Sequence, residues 1–172
     1  LWLGRYKEAL ALLNARGARE HHLAWCWRGA ALFKLGRHAA ALAQLDRAVA
    51  LRPGDAEALV WRGEALHAAG RAAEAGRDMQ AALRINPDNI WARAGLVLLH
   101  LQDGDLNAAL AEFKLPPPVT AAVARRAGLK VNGPYSPAEL RRLLLALREA
   151  GRGCRRHEAY LRALWLPSCG AL

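Results

Sequence analysis

The sequence repeats itself every 34 residues, and this periodicity limits the fold more than any other feature. Residues 22–55 align with residues 56–89 without a gap. The aligned pairs are Trp27 with Trp61, Gly29 with Gly63, Gly36 with Gly70, Ala41 with Ala75, Ala48 with Ala82, and Pro53 with Pro87. Residues 90–115 continue the register at Gly104, Ala109 and Phe113, and residues 1–18 match the second half of a unit. A period of this length is typical of solenoids, whose units stack on their neighbours.

The composition indicates that each unit is built from helices. Alanine and leucine fill 69 of the 172 positions, whereas valine, isoleucine and threonine together fill nine. Helices favour alanine and leucine, and strands favour β-branched residues. We therefore predict an all-α protein and exclude enzyme folds that depend on a sheet. The sequence has no apolar run near the length of about 20 residues that a membrane span needs.

The glycine and proline positions of the repeat predict two helices per unit. Gly36 and Gly70 are predicted to end the first helix, because glycine accepts the left-handed C-cap geometry. Pro53 and Pro87 are predicted to stop the second helix, because proline cannot continue it. The remaining expectations are close helix contacts at Gly29 and Gly63, apolar stripes at Ala41, Leu45, Ala48 and at Ala75, Met79, Ala82, and helix caps at Asp55 and Asp88.

Two adjacent units resemble the tetratricopeptide repeat family in their pattern of large, small and proline residues. The matching residues are Trp25, Gly29, Leu32, Ala41, Leu45, Ala48 and Pro53 in one unit, and Leu59, Gly63, Leu66, Ala75, Met79, Ala82 and Pro87 in the next. A third unit departs from the pattern at Arg93 and Val97. The resemblance covers residues 1–115 and implies a right-handed solenoid of antiparallel helix pairs, with Trp25 in the core.

Beyond residue 115 the register breaks. We interpret residues 116–136 as a proline-rich connector with a short helix. Residues 137–172 are predicted to form a degenerate hairpin that caps the stack, since Ser136, Pro137 and Glu139 are typical of a helix start. A solenoid needs such a cap to cover its last apolar face.

The resemblance implies that the first helix of each unit lines a groove that binds a protein or peptide partner. By helical phasing, the groove residues are Leu23, Trp27, Ala30, Lys34, Glu57, Trp61, Glu64, His67, Trp91, Leu98 and Gln102. Trp27, Trp61 and Trp91 would form an apolar floor beside Glu57 and Glu64, which suits an apolar segment with basic residues. The alternative is that Trp27 and Trp61 pack between hairpins.

The best-known groove of the family holds a terminal carboxylate with lysine and asparagine. Cys26 and Ala30 stand at the positions of the first such lysine and asparagine. Binding of chaperone C-termini is therefore not implied.

The net charge of +10 is concentrated near the end of the chain, since residues 116–172 contribute +7 (10 Lys/Arg, 3 Asp/Glu). Six arginines cluster there, at Arg141, Arg142, Arg148, Arg152, Arg155 and Arg156. They would form either a solvated helix face or a contact for an acidic partner segment, because guanidinium groups suit carboxylate and phosphate. Nucleic acid is a weaker alternative, since no aromatic residues interleave for base stacking.

The sequence carries no motif for catalysis, such as a phosphate-binding glycine loop, HExxH or GxSxG. His21, His22 and Cys26 are more simply a loop and helix start than metal ligands, and Cys154, His157 and Cys169 are no stronger a set. We therefore predict a protein-interaction scaffold that is not an enzyme and has no metal or cofactor. The alternative is an accessory domain that positions a substrate for, or regulates, a larger enzyme.

Three cysteines without patterned spacing suit a reducing compartment, and we expect a cytoplasmic protein. The chain opens with Leu1-Trp2-Leu3-Gly4 and no methionine. We interpret it as a fragment, so that a signal peptide or a catalytic domain could precede it. A larger complex is a further setting that would suit the scaffold.

Overall fold

The computed structural model describes residues 5–15 and 21–112, together with the separate residues Arg125, Arg126, Gly128, Glu139, Arg142 and Ala146. Within this part the regular structure is entirely helical. The helices are α1 (Tyr6–Ala15), α2 (His22–Lys34), α3 (His38–Leu51), α4 (Ala56–Ala68), α5 (Ala72–Ile85), α6 (Ile90–Gln102) and α7 (Leu106–Ala111). The all-α fold of paired helices is therefore confirmed. None of the described helices has the length and apolar surface needed to cross a membrane.

The chain divides into two compact units, Leu1–Asn89 and Ile90–Leu172. In the first unit α2 pairs with α3 and α4 pairs with α5, while α1 packs on α2 and α3 packs on α4. In the second unit α6 pairs with α7. The starts of α2, α4 and α6 are 34 residues apart, so the helices follow the sequence period. The connector at 116–136 and the hairpin at 137–172 lie outside the described residues, apart from isolated positions.

Glycine ends the first helix of each pair in the expected way. Gly36 has φ 73° and Gly70 has φ 77°, in the left-handed region that favours glycine. In the α2–α3 turn the Gly36 amide donates to the Phe33 carbonyl and the Arg37 amide donates to the Leu32 carbonyl, both at 2.9 Å. This pattern is a Schellman motif, which satisfies carbonyls that the helix end leaves open.

Proline ends the second helix of both pairs in the first unit. Residues before proline are driven out of the helical region by steric conflict with its ring. Arg52, before Pro53, has φ −144° and ψ 85°, and Asn86, before Pro87, has φ −132° and ψ 94°. Helices α3 and α5 accordingly end at Leu51 and Ile85.

One of the two predicted helix caps is correct and the other is wrong. The Asp55 carboxylate accepts hydrogen bonds from the Glu57 and Ala58 amides at the start of α4. Helix α6 begins at Ile90, so the residue that precedes it is Asn89 and not Asp88. Thirty-four residues after Asp55 is position 89, and the prediction was one residue out of register.

The core of the first unit includes the small and apolar stripe predicted from the second helices, together with residues of α2 and α4 such as Cys26 and Ala58. Ala41, Leu45, Ala48, Ala75, Met79 and Ala82 are all at most 2% exposed. Gly29 and Gly63 face this stripe where the helices approach closely, as expected. A Cβ atom added at Gly29 would collide with Leu45, and one added at Gly63 would lie 2.9 Å from the Met79 methyl carbon.

Trp25 corrects one expectation about the core. Its ring packs against the core cluster but is only partly buried. The guanidinium carbons of Arg28 and Arg47 lie 5.2 and 4.8 Å from the ring centroid. Trp25 therefore lies at the edge of the core, where its ring can contact both cations.

Candidate binding surface

Helices α2 and α4 contact each other within the first unit and carry most of the residues predicted for the groove. We call these residues the first-helix surface and define it as Leu23, Trp27, Lys34, Glu57, Trp61 and Glu64. Leu23 is 41% exposed, and the rings of Trp27 and Trp61 are half-buried. The two tryptophans thus keep part of their surface open rather than being wholly enclosed between hairpins.

Ala30 does not belong to this surface. It is 2% exposed, because its position on α2 faces the packed interior of the array. Its inclusion in the predicted groove was therefore wrong. His67 lies on α4 and is half-buried, and its positive charge lowers the pKa of Glu64. It is not included in the first-helix surface.

Lys34 joins the two helices through a cluster of aromatic and acidic side chains. Its Nζ lies 5.1 Å from the Trp61 ring centroid, 5.2 Å from the Phe33 ring centroid and 3.8 Å from Glu64 Oε2. The Phe33 and Trp61 rings meet edge to face, with centroids 6.3 Å apart. The ammonium group of α2 thus sits among two rings and a carboxylate, of which Trp61 and Glu64 belong to α4.

The two glutamates of α4 are electrostatically unlike the ordinary surface glutamate. Glu57 is exposed as a residue, but partial burial of its carboxylate raises its pKa. The charge of Asp55 adds to the rise, and a side-chain hydrogen bond with Trp61 opposes it. Burial also raises the pKa of Glu64, although the positive charges of Lys34 and His67 oppose that rise. Desolvation disfavours a charged carboxylate, so these side chains gain from a positively charged neighbour.

Glu64 also retains an unused hydrogen-bonding atom. Its Oε2 is buried and has no hydrogen-bond partner among the described residues, even though the side chain as a whole is 18% exposed. The Lys34 ammonium at 3.8 Å forms an ion pair with it but is too distant for a hydrogen bond.

The starts of α2 and α4 meet in a second polar cluster. His22 Nε2 lies 3.5 Å from Asp55 Oδ2 and 3.2 Å from Arg52 Nη1. Asp55 Oδ1 caps α4 in the same place. These contacts fix how the helix start of one repeat sits beside that of the next, and they bring acidic charge close to Glu57.

The remaining predicted groove residues belong to the second unit. Trp91 and Leu98 are half-buried and Gln102 is exposed on α6. Whether they continue the first-helix surface stays a prediction from the repeat pattern.

The predicted basic patch falls almost entirely on residues outside the described part of the chain. The residues outside it are Arg141, Arg148, Arg152, Arg155 and Arg156. Arg142 is described, and it is helical and exposed. Contact of this patch with an acidic partner segment stays a prediction from the sequence.

Sequence reasoning missed Phe33, because the phasing argument chose Lys34 as the last groove position of α2. A signal was present, since Phe33 and His67 are ring-bearing residues 34 positions apart. It also missed the ion pair between Arg62 and Asp78, which are 16 residues apart on α4 and α5. Nothing in the periodicity could indicate that pair, because the position of Asp78 in the preceding repeat is Gln44.

The described residues include no group of three or more histidine, cysteine or acidic side chains that could hold a metal ion. The His21 ring accepts a hydrogen bond from the Leu23 amide at the start of α2. Burial raises the pKa of the Cys26 thiol to about 12, with smaller contributions from Asp55 and Glu57. A thiol held in this form is a poor metal ligand and a poor nucleophile.

Comparisons with known proteins agree with the paired-helix architecture. One tetratricopeptide repeat model matches residues 3–56 and again residues 28–90, and a second tetratricopeptide repeat model matches residues 66–131. None of the curated proteins compared with the chain matches it. Among solved structures, the chain is similar to one described as "Crystal structure of MamA", with a TM-score of 0.59 and 24% identity over 65% of this chain and 67% of that chain. At this identity the likeness shows the fold alone. The first family model by itself spans more than half of the sequence, and the chain therefore belongs to the tetratricopeptide repeat family.

Proposed function

We propose that this chain is a protein-interaction scaffold that binds a segment of a partner protein along the first-helix surface of α2 and α4. Tetratricopeptide repeats support a scaffold role in general. The observation that carries the specific surface is the half-buried ring of Trp61, which lies 5.1 Å from Lys34 Nζ and shares a hydrogen bond with Glu57. Lys34 in turn pairs with the buried Oε2 of Glu64 on the same helix as Trp61. Tryptophan is enriched among the few residues that carry most of the binding energy in protein interfaces.

The chemistry of the surface favours a partner segment with apolar side chains and at least one basic residue. Leu23, Trp27 and Trp61 offer apolar area that is still partly open to solvent. The carboxylate of Glu57 lies on the same face of α4 as Trp61 and close enough to Asp55 for their charges to interact. A positive charge from the partner would offset the cost that burial imposes on the charged forms of Glu57 and Glu64.

Site-specific photo-crosslinking tests this surface and captures the partner in the same step. A photoreactive phenylalanine analogue would replace Leu23 on α2 or Leu51 on α3, which are 41% and 56% exposed. The two positions are matched because both are exposed leucines, but only Leu23 lies on a first helix. In lysate from the native source, we expect a discrete adduct from position 23 and none from position 51.

Mass spectrometry of the adduct would identify the partner and the crosslinked segment. An apolar segment with a basic residue is the expected result. A catalytic protein in the adduct would favour the accessory-domain alternative while keeping the surface. The same adducts from both positions, or an adduct from position 51 alone, would show that the first-helix surface is not the docking site.

A further inference from the structure

The Lys34 cluster has the composition of a binding site for an alkylammonium ion. A cation near the faces of aromatic rings is attracted by their quadrupoles, within about 6 Å of the ring centroid. Lys34 Nζ meets this condition for both Trp61 and Phe33, and Glu64 supplies a negative charge 3.8 Å away. Three groups from two helices thus converge on one ammonium position.

The rings that form this position are themselves held in place. Phe33 contacts Trp61 edge to face at 6.3 Å and contacts the His38 ring at 5.4 Å on α3. Trp61 also shares a hydrogen bond with Glu57 one helical turn earlier. A binding site built on packed helices keeps its geometry when the cation leaves.

The present occupant is held only weakly. Lys34 is the last residue of α2, and its side chain is 32% exposed. Partly exposed ion pairs and exposed cation–π contacts are both weak interactions. The flexible four-carbon stem of lysine can move the ammonium group into water. Since Glu64 Oε2 is left without a hydrogen bond, a better-placed ammonium would find an acceptor that Lys34 does not use.

We propose that Phe33, Trp61 and Glu64 form an alkylammonium-binding site that Lys34 closes in the free protein and that a lysine of the partner segment enters when it binds. The role of the partner lysine depends on the proposed function, whereas the existence of the site does not. The partner's lysine replaces the Lys34 side chain at this site, and it competes with Lys34 only when other contacts hold the partner segment in place. The site would therefore select partners that combine a lysine with apolar contacts.

A titration with n-butylammonium tests the site itself, since this ion is the side chain of lysine without its backbone. The full chain and its Lys34→Ala variant would be titrated at constant ionic strength, and the Trp61 indole N–H signal followed by NMR. In Lys34→Ala the site is open, and we expect n-butylammonium to bind at least about fivefold tighter than to the unaltered protein. A change of this size is expected when a weak competing contact, here that of Lys34, is removed. Lys7→Ala, which removes an exposed lysine of α1, should bind like the unaltered protein.

Two further arms separate the proposed site from nonspecific effects. The neutral isostere n-butanol should not reproduce the Trp61 shift, because the rings and carboxylate select charge. Lys34→Ala/Glu64→Gln should lose the gain while remaining folded by circular dichroism. Equal butylammonium binding by Lys34→Ala and the unaltered protein, or equal shifts with butanol, would overturn the site. Failure of crosslinking at position 23 with success here would reject the partner surface and leave the ammonium site standing.

Discussion

The two repeats of the first unit, residues 22–55 and 56–89, have the same backbone plan and different side-chain contacts. Arg28 and Arg62 occupy the same position in α2 and α4. Arg62 makes two hydrogen bonds to Asp78, at 2.7 and 2.8 Å, and one to Asp46. Arg28 donates to the Leu13 carbonyl, and its buried Nε has no partner within the described residues. The period therefore specifies where a guanidinium lies, and the partner depends on residues that do not repeat.

The largest expected effect comes from removing the carboxylate of Asp78, because the first repeat has glutamine at the equivalent position. Asp78→Ala leaves the partly buried Arg62 guanidinium without its two short hydrogen bonds. We expect a loss of about 2 kcal/mol in unfolding free energy, between the values for exposed and fully buried pairs. Asp46→Ala removes a 63% exposed partner of the same arginine and should cost less than about 0.5 kcal/mol. Denaturant titration measures both, and equal losses would contradict the account of the pair.

The two close-contact glycines should differ in their tolerance of alanine. At Gly29 a new Cβ meets Leu45, a fully buried branched side chain, with Cδ2 at 2.8 Å. At Gly63 it meets the flexible end of Met79 at 2.9 Å and the Ala75 carbonyl at 3.3 Å. Gly29→Ala should cost about 1–2 kcal/mol through overpacking. Gly63→Ala should be close to neutral, because methionine can adjust and alanine favours the helix by about 1 kcal/mol. A larger loss of melting temperature for Gly63→Ala than for Gly29→Ala would contradict this account of the two contacts.

The helix starts should also respond unequally. Asp55 caps α4 with two amide contacts, whereas His21, at the same repeat position, caps α2 with one contact at 3.3 Å. Asp55→Ala should cost about 1 kcal/mol, as expected for loss of a helix cap, and His21→Ala should cost less. Asp55→Asn should preserve most of the stability, since asparagine is also a good cap. A neutral result for Asp55→Ala in chemical denaturation would remove the cap from the explanation of where α4 begins.

The smallest effect concerns pH and Glu64, whose position in the first repeat is Ala30. Burial raises the pKa of Glu64 above the ordinary value of 4.5, so the folded protein binds this proton more tightly than the unfolded chain. The unfolding free energy contributed by this group is therefore greatest below pH 4.5 and is lost as pH rises through the folded pKa. The unfolding free energy of the Glu64→Gln variant should fall less steeply as pH rises over that range. Parallel pH profiles for the two proteins would contradict the raised pKa.

The sequence predicts the helix pairs and their core because each depends on a residue type with a direct backbone or packing consequence. Gly36 and Gly70 are placed at left-handed turns, Pro53 and Pro87 end helices, and Leu45 and Met79 fill the stripe between them. These constraints are local or have a fixed period, so they can be read along the chain.

The site was predicted only in part, because its contacts depend on which side chains meet between helices. Trp61 and Glu64 were expected to lie on one surface of α4, but their joint contact with Lys34 brings together residues about 30 positions apart. Phasing alone placed Ala30 beside them, although close packing of the array covers it. Helical periodicity gives a direction for each side chain, and burial depends on the neighbouring helix.

The central proposal, that the first-helix surface binds a partner through its acidic and aromatic groups, is tested most directly by affinity for the crosslinked partner. The comparison is between the unaltered protein, Glu57→Gln on α4 and Glu8→Gln on α1, which make the same chemical change at two exposed glutamates. We predict that Glu57→Gln weakens binding by about threefold to tenfold, as expected for loss of a charge at an interface, and that Glu8→Gln leaves it unchanged. Equal affinities for all three proteins would contradict the proposal.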